Sequence, residues 1–236
     1  MLLFENIKYV PAKILFTWKS LIREELFNYL TNVILPKYKR VDVAHDEQHV
    51  RESLCYAKSI TNLLRNKISS HDMELIFTAI IYHDISLIDS PREVHHINSA
   101  KIVKNDKILK MFFNQKDINI IAEAVEDHRS SSNNPPRSLV GKVVADADTG
   151  PIQIDNLIHR SYYYHISHNK ETDKLKIFDE IYESLNKKYG KNGYSKYWLK
   201  ESEHYFNLVS NGAKDRISNR EYMLTRFNKF INNIGR

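Results

Sequence analysis

The sequence predicts an all-α protein, and three observations lead to that expectation. Glycine and proline number only six each in 236 residues, so few positions interrupt helices. Most apolar residues recur every three or four positions, which is the period of an amphipathic helix, and no ladder of strands is evident. With 42% hydrophobic residues the chain can bury a sizeable core, and we expect a single helical domain over residues 1–236.

Segments with one apolar face begin close to the N-terminus. Residues 12–34 form the first, and we expect Pro36 to close it because proline lacks the backbone donor that a helix needs. The second begins near Asp46 and keeps an apolar stripe over residues 50–64. His49 lies beside that stripe, at the edge of a face that we expect to be buried.

The third helix begins and ends with polar residues. Ser69 and Asp72, three positions apart, resemble a capping box at its start. The helix continues through the apolar run FTAIIY and delivers His83 and Asp84 at its C-terminal end. Burying this ionisable pair is costly unless each member has a partner, such as a hydrogen bond or a bound cation.

Three more segments carry polar side chains on or beside their apolar faces. The fourth begins around His95, and His128 extends the apolar stripe of the fifth. The run SSSNNPP at 130–136 interrupts the chain before a sixth segment that begins at Ser138. The apolar stripe of this last helix has a spacing of four and ends at Asp148, so another polar side chain closes a buried face.

Composition limits the kinds of site and partner. Cys55 is the only cysteine, so a metal would have to be held by histidines and carboxylates. The net charge of +6 favours anionic ligands without choosing between nucleotides, nucleic acid and phospholipid. The N-terminus lacks a signal-peptide pattern and no apolar stretch is long enough to span a membrane. We therefore expect a soluble cytoplasmic protein with no membrane partner, and leave nucleic acid and a homo-oligomer open as partners.

Sets of histidines and carboxylates, such as those at the ends of these helices, hold divalent ions in proteins. The order of the two residue types along this chain is also specific. The order H, then HD, then D in an all-helical chain resembles the HD-domain metal-dependent phosphohydrolases. The stretches DEQHVRESLCYAKSI, AIIYHDIS and GKVVADADTG carry the likeness, and they imply a set of four metal ligands: His49, His83, Asp84 and Asp148. The resemblance covers a core of about 40–165, with an N-terminal helical extension and a C-terminal one over about 166–236.

Two further stretches resemble HD proteins that bind two metal ions. HHINSAKIV and AEAVEDH map onto His95 and His128 as additional ligands. In such sites Asp84 would bridge both ions, and a metal-bound hydroxide would attack the phosphorus. Three alternatives stay open, namely His96 for His95, His45 for His49 and Asp146 for Asp148.

The resemblance implies a divalent-metal-dependent phosphohydrolase acting on a nucleotide or another small phosphorylated metabolite. One or two ions of Mn, Fe, Mg, Zn, Ni or Co would serve as cofactor, with Asp84 and His128 as catalytic residues. Leu87 stands where some HD nucleotidases place an acid, so a mechanism that uses that acid is not expected. Basic residues in or just beyond the site helices are candidates for holding phosphate oxygens: Arg129, Arg137, Lys142 and Arg160.

Two other functions remain as alternatives. Some HD-domain proteins with H, HD, H, H, D ligands use two irons to activate oxygen, which would make this chain a dinuclear-iron oxygenase. A second alternative is a non-catalytic module that binds nucleotides and regulates another activity. Metal content, oxygen uptake and phosphate release would distinguish the three.

Overall fold

The computed structural model describes residues 10–42, 44–168 and 171–234 of the chain, and it confirms the all-α fold class over them. The described residues form helices and no β-strand. The first eight α-helices are α1 Val10–Lys19, α2 Glu24–Tyr29, α3 Glu47–Leu63, α4 Ser70–Tyr82, α5 His95–Asn105, α6 Leu109–Phe112, α7 Gln115–Asp127 and α8 Leu139–Thr149. They are followed by α9 Ile154–His168, α10 Lys174–Tyr189, α11 Lys200–Ser210, α12 Ala213–Ile217 and α13 Arg220–Ile234.

Contacts divide the described residues into two compact units. The first unit contains α1–α8 together with a return segment, Tyr197–Ser202. The second contains α9, α10, α12, α13 and most of α11. The chain passes from one unit to the other at Pro151, about fifteen residues before the predicted end of the core. The assignment of a single domain with a core at about 40–165 stays a prediction, because contacts alone do not identify independently folding domains.

Helix α4 lies at the centre of the first unit. Every residue from Met73 to Tyr82 is buried, including Thr78, whose hydroxyl donates to the Glu74 carbonyl oxygen at 2.8 Å. A helix that is buried around its whole circumference needs neighbours on all sides, and α3, α5, α7 and α8 all contact α4. The centre of the bundle is thus the helix that ends in His83 and Asp84.

Side chains cap the helices that the sequence predicts to begin with polar residues. Ser69 and Asp72 form the expected capping box at α4. The Asp46 carboxylate accepts hydrogen bonds from the backbone of Gln48 and His49 at the start of α3. Ser138 caps α8 through a 3.0 Å bond from the Gly141 backbone. These caps fix where the site-bearing helices begin.

The first helical segment differs from its prediction, because it is broken between α1 and α2. Arg23 is extended there, and its backbone N–H donates to the Glu74 Oε1 atom of α4 at 2.9 Å. Its guanidinium binds the same carboxylate, with Nη2 2.6 Å from Oε2. Nor does Pro36 end the helical path, since it lies in the first turn of the 3₁₀ helix Leu35–Arg40, where its missing N–H costs nothing.

The second unit has an apolar core of its own. Phe178, Ile181 and Phe227 belong to that core, with Tyr162 packed against it and its ring 5.2 Å from that of Phe230. None of the helices in the described part of the chain is long and apolar enough to cross a membrane.

A carboxylate away from the proposed site holds three elements of the first unit together. The Tyr29 and Tyr82 hydroxyls donate to Asp106 Oδ2 at 2.6 and 2.5 Å. Its Oδ1 accepts from the backbone N–H groups of Ile108 and Leu109 at 2.8 and 3.1 Å. Burial raises the Asp106 pKa, but the hydrogen bonds from the tyrosines and the backbone lower it by more, so its pKa lies below the usual value.

We expect Asp106→Ala to lower the free energy of unfolding at neutral pH by about 3 kcal/mol, because two tyrosine hydroxyls lose their acceptor. A carboxyl whose pKa is lowered by folding stabilises above its unfolded pKa and loses that effect as pH falls through its folded pKa. The difference between variant and wild type in urea unfolding should therefore shrink as pH falls from about 5 to 2. Asp89→Ala, which removes a carboxylate that is 79% exposed, is the control and should change stability little.

Candidate metal centre

Six imidazole and carboxylate side chains from five parts of the first unit converge on one buried position. Asp84 comes directly after His83, the C-cap residue of α4, and is 2% exposed. The other members come from the start of α3, the start of α5, the end of α7 and the last turn of α8. The six residues are His49, His83, Asp84, His95, His128 and Asp148.

Three of these residues form a group that we call the His49 trio: His49, His83 and Asp148. Asp148 Oδ1 lies 2.9 Å from His49 Nε2 and 3.6 Å from His83 Nε2. The two Nε2 atoms are 3.3 Å apart. One carboxylate oxygen and two imidazole nitrogens thus face a common point.

The remaining three form a second group, the His95 trio: Asp84, His95 and His128. Asp84 Oδ1 lies 3.0 Å from His95 Nε2 and 3.4 Å from His128 Nε2. Its other oxygen, Oδ2, faces the first trio and lies 3.2 Å from His83 Nε2. Each oxygen of the Asp84 carboxylate therefore points toward a different trio.

These spacings suit atoms that share a metal ion. Ligand atoms about 2.1 Å from a divalent ion lie about 3.0–3.4 Å from one another in octahedral or tetrahedral geometry. Neighbouring donor atoms in the two trios are 2.9–3.6 Å apart. Imidazoles combined with a few carboxylates suit Zn, Mn, Fe, Co or Ni, so both trios fit a divalent cation.

Backbone carbonyls orient three of the imidazoles. Nδ1 of His83 donates to the carbonyl of Ile80 at 2.7 Å, and Nδ1 of His128 to that of Val125 at 2.6 Å. Nδ1 of His95 makes the same bond to the residue three positions before it, at 2.5 Å. Because a carbonyl can only accept, Nδ1 carries the proton and the lone pair of each neutral ring lies on Nε2, facing the cluster.

The Nε2 lone pairs of His95 and His128 lie so close together that a positive charge is needed between them. His95 Nε2 and His128 Nε2 lie 3.2 Å apart, although both rings use Nδ1 as their donor. Two lone pairs at this distance repel each other unless a proton or a cation lies between them. The pair is therefore compatible with a bound cation, and a hydrogen-bonded core pair would need an additional proton.

The two buried carboxylates also require positive charge close to them. Burial opposes ionisation of Asp84, but the charge of His83 and hydrogen bonds from the surrounding imidazoles hold its pKa well below the usual value. Asp148 has a pKa that is lowered in the same way, against burial, by His49 and His83. Burial lowers the His83 pKa, but the two carboxylates raise it by more. Both carboxylates stay ionised and need positive charge beside them, from protonated imidazoles or from a cation.

The cluster meets solvent on one side. The Asp148 side chain is 21% exposed, whereas the side chain of His95 is 7% exposed and those of the other four are 5% or less. Asp148 is therefore the most exposed of the six side chains.

The three alternative ligands lie outside both trios. The His45 ring meets the His49 ring edge-on, with centroids 6.1 Å apart. His96 packs against His95 in a similar way at 5.6 Å, and burial lowers its pKa to about 4. Asp146 is completely buried on another side of α8, where it accepts two backbone hydrogen bonds.

The basic residues predicted to hold phosphate have different surroundings. Arg129 and Arg137 both line an open cleft of about 550 Å³ that begins beside His96. The Arg137 guanidinium is bound by Asp127 and Glu126, whereas Arg129 Nη1 donates to the Glu93 carbonyl oxygen at 2.8 Å.

The other two basic candidates lie farther along the chain. Lys142 is half-buried in the first half of α8. Arg160 belongs to the second unit and donates to the Ala44 carbonyl oxygen of the same unit. The assignment of all four as substrate contacts stays a prediction.

Sequence reasoning missed Tyr38, which is hydrogen-bonded to the backbone on either side of His83. Its side chain is fully buried, and its hydroxyl donates to the Ile81 carbonyl oxygen at 3.0 Å. The same hydroxyl accepts the Asp84 backbone N–H at 3.3 Å, so it holds both ends of the turn that carries His83 and Asp84. The pattern KYKR looks only like a basic surface patch, and nothing in it indicates a buried tyrosine.

Comparison with known protein families identifies a domain in the first unit. Residues 47–149 match the model of the HD domain, and this interval contains all six side chains of the two trios. Neither the curated proteins nor the solved structures returned a match. Most proteins with this domain are metal-dependent hydrolases. The matching domain model, together with a buried cluster that has the order H, HD, D, shows an HD domain at residues 47–149.

Proposed function

We propose that the chain is a divalent-metal-dependent phosphohydrolase that acts on a nucleotide or another small phosphorylated metabolite. The observation that carries the proposal is the Asp84 carboxylate, with Oδ1 3.0 Å from His95 Nε2 and Oδ2 3.2 Å from His83 Nε2. One carboxylate placed between two groups of imidazoles is suited to join two divalent ions. The family to which the domain belongs supports hydrolysis as the reaction.

Charge makes a phosphoester a suitable substrate for this centre. Divalent ions bound there would neutralise phosphate oxygens and lower the pKa of a bound water. The two trios contribute two negative charges, from Asp84 and Asp148, and four imidazoles that are neutral as ligands. Two divalent ions in this set would retain a net positive charge, which favours an anionic ester over a neutral one.

Arg129 is the basic residue that we propose as the first phosphate contact. It follows His128 directly, and its Nη1 atom is bound to a backbone carbonyl that carries no net charge. Arg137 in the same cleft is surrounded by Asp127 and Glu126, which cancel its charge. The cleft of about 550 Å³ that both arginines line contains none of the six residues of the two trios, so Arg129, directly after His128, is the residue that links it to the centre.

A screen of mononucleotides, dinucleotides and generic phosphoesters with Mn²⁺, Mg²⁺, Co²⁺, Ni²⁺ or Fe²⁺ tests the proposed reaction. We expect phosphate release with at least one combination, and Asp84→Ala should abolish both metal retention and turnover because it removes the one carboxylate that faces both trios. Asp89→Ala, an exposed carboxylate five residues away, is the matched control and should behave as wild type. Full activity in Asp84→Ala would refute the site assignment.

Removing the Arg129 charge tests the proposed substrate contact. With the substrate found in the screen, Arg129→Gln should raise KM about tenfold, equivalent to about 1.4 kcal/mol, and leave metal content unchanged. Lys101→Gln removes the same charge from the exposed face of α5 and serves as the control. An unchanged KM in the Arg129 variant would exclude it as a phosphate contact.

The two-trio arrangement also favours a second candidate, a dinuclear-iron oxygenase, because its six ligands suit two irons equally well. Metal analysis of protein purified without added metal separates the candidates. Two iron atoms per chain, with oxygen consumption and no phosphate release, would overturn the hydrolase proposal. Tight nucleotide binding without turnover under any metal would instead indicate a regulatory module.

A further inference from the structure

The last turn of α8 carries two carboxylates with different surroundings. Asp148 faces the His49 trio, with Oδ1 2.9 Å from His49 Nε2. Asp146, two positions earlier, is fully buried and faces the return segment Tyr197–Ser202 of the same unit. Positions two apart on an α-helix point about 200° away from each other, so the two side chains leave the turn on opposite sides.

Asp146 holds the return segment by two hydrogen bonds. Oδ1 accepts the Trp198 backbone N–H at 2.7 Å, and Oδ2 accepts the Leu199 backbone N–H at 3.0 Å. These groups immediately precede α11, the eleven-residue helix Lys200–Ser210, whose N-terminus favours a negative charge. Both oxygens of a completely buried carboxylate are thus used to attach α8 to a segment about fifty residues away in sequence.

The opposite end of the turn is fixed as well. The Tyr197 hydroxyl donates to the Gly150 carbonyl oxygen at 2.7 Å. Gly150 has a φ of +57°, and a Cβ atom there would lie 2.6 Å from the Tyr56 ring of α3. Asp148 therefore lies between two residues, Asp146 and Gly150, that are both hydrogen-bonded to the return segment.

We propose that Asp146 is a positioning residue for the His49 trio. By attaching the last turn of α8 to the return segment, it keeps the Asp148 carboxylate in contact with His49 and His83, and so sets the affinity of that trio for a divalent ion. The His95 trio has no member on α8, so its affinity does not depend on Asp146. This inference rests on the metal binding proposed above, but it assigns a role to a residue outside the ligand set.

Asp146→Asn is the informative variant, because it nearly preserves size. It keeps one acceptor, but its amide group brings N–H donors toward a backbone N–H, so one of the two attachments is lost. Partners that orient a ligand typically change metal affinity 10- to 100-fold when they are replaced. We expect about a tenfold loss at the His49 trio and a change of less than about twofold at the His95 trio.

Single-trio backgrounds allow the two affinities to be measured separately. His128→Ala leaves the His49 trio intact, and His49→Ala leaves the His95 trio intact. Each is combined with Asp146→Asn in the full chain, freed of metal, and titrated with Co²⁺ by calorimetry and by its visible absorption. The Co²⁺ dissociation constant should rise about tenfold in the first background and stay within about twofold in the second.

A control at the far end of the same helix separates positioning from general destabilisation. Ser138→Ala removes the cap of α8, where the Gly141 backbone N–H donates to Ser138 Oγ at 3.0 Å. It should lower Tm without changing Co²⁺ affinity in either background. Tyr197→Phe removes the single hydrogen bond to the Gly150 carbonyl oxygen, and like Asp146→Asn it should weaken Co²⁺ binding by the His49 trio.

The outcomes are distinct. Loss of Co²⁺ affinity in the His128→Ala background alone supports the positioning role. Equal losses in both backgrounds, or no loss in either, would overturn it and leave the metal site standing. Absence of Co²⁺ binding by the wild-type chain itself would instead overturn the metal-dependent function and the positioning role together.

Discussion

A buried carboxylate faced by four imidazoles is the constraint around which the first unit is arranged. Asp84 is 2% exposed, and its two oxygens point toward two different groups of imidazoles. A carboxylate that is buried this deeply stays ionised only with positive charge close to both oxygens. The helix ends that bring this charge, or that bring the ligands of a cation, must therefore meet at the end of α4. Tyr38 closes the turn from behind by bonding the backbone on both sides of His83.

The centre depends both on local hydrogen bonds and on packing between distant parts of the chain. His83, His95 and His128 each orient their ring through a carbonyl three residues earlier, so the direction of Nε2 is decided within one turn of chain. Helix packing then only has to bring these turns together. Asp148 differs, because its position depends on the last turn of α8 and hence on the distant return segment that Asp146 holds. The two trios therefore depend on different parts of the fold.

Much of the fold could be predicted because it follows from local chemistry. The capping box at Ser69 and the apolar period of α4 predict a helix that ends at His83, and the structure has both. The break at Arg23 could not be predicted, since it arises from a bond to Glu74, fifty-one residues away. The burial of Tyr38 has the same kind of cause. Periodicity reports which face of a helix is apolar, but it contains no information about which distant residue will bond to it.

The sequence by itself determined the helices, the HD domain and the set of candidate ligands, because these depend on the order and spacing of residue types. Only the tertiary structure placed His95 and not His96, and Asp148 and not Asp146, among the converging side chains. Adjacent positions on a helix point about 100° apart, and the partner that lies in each direction comes from elsewhere in the chain. Asp146 shows the consequence, because the motif makes it a candidate ligand, whereas in the fold its carboxylate accepts two hydrogen bonds from the backbone of Trp198 and Leu199.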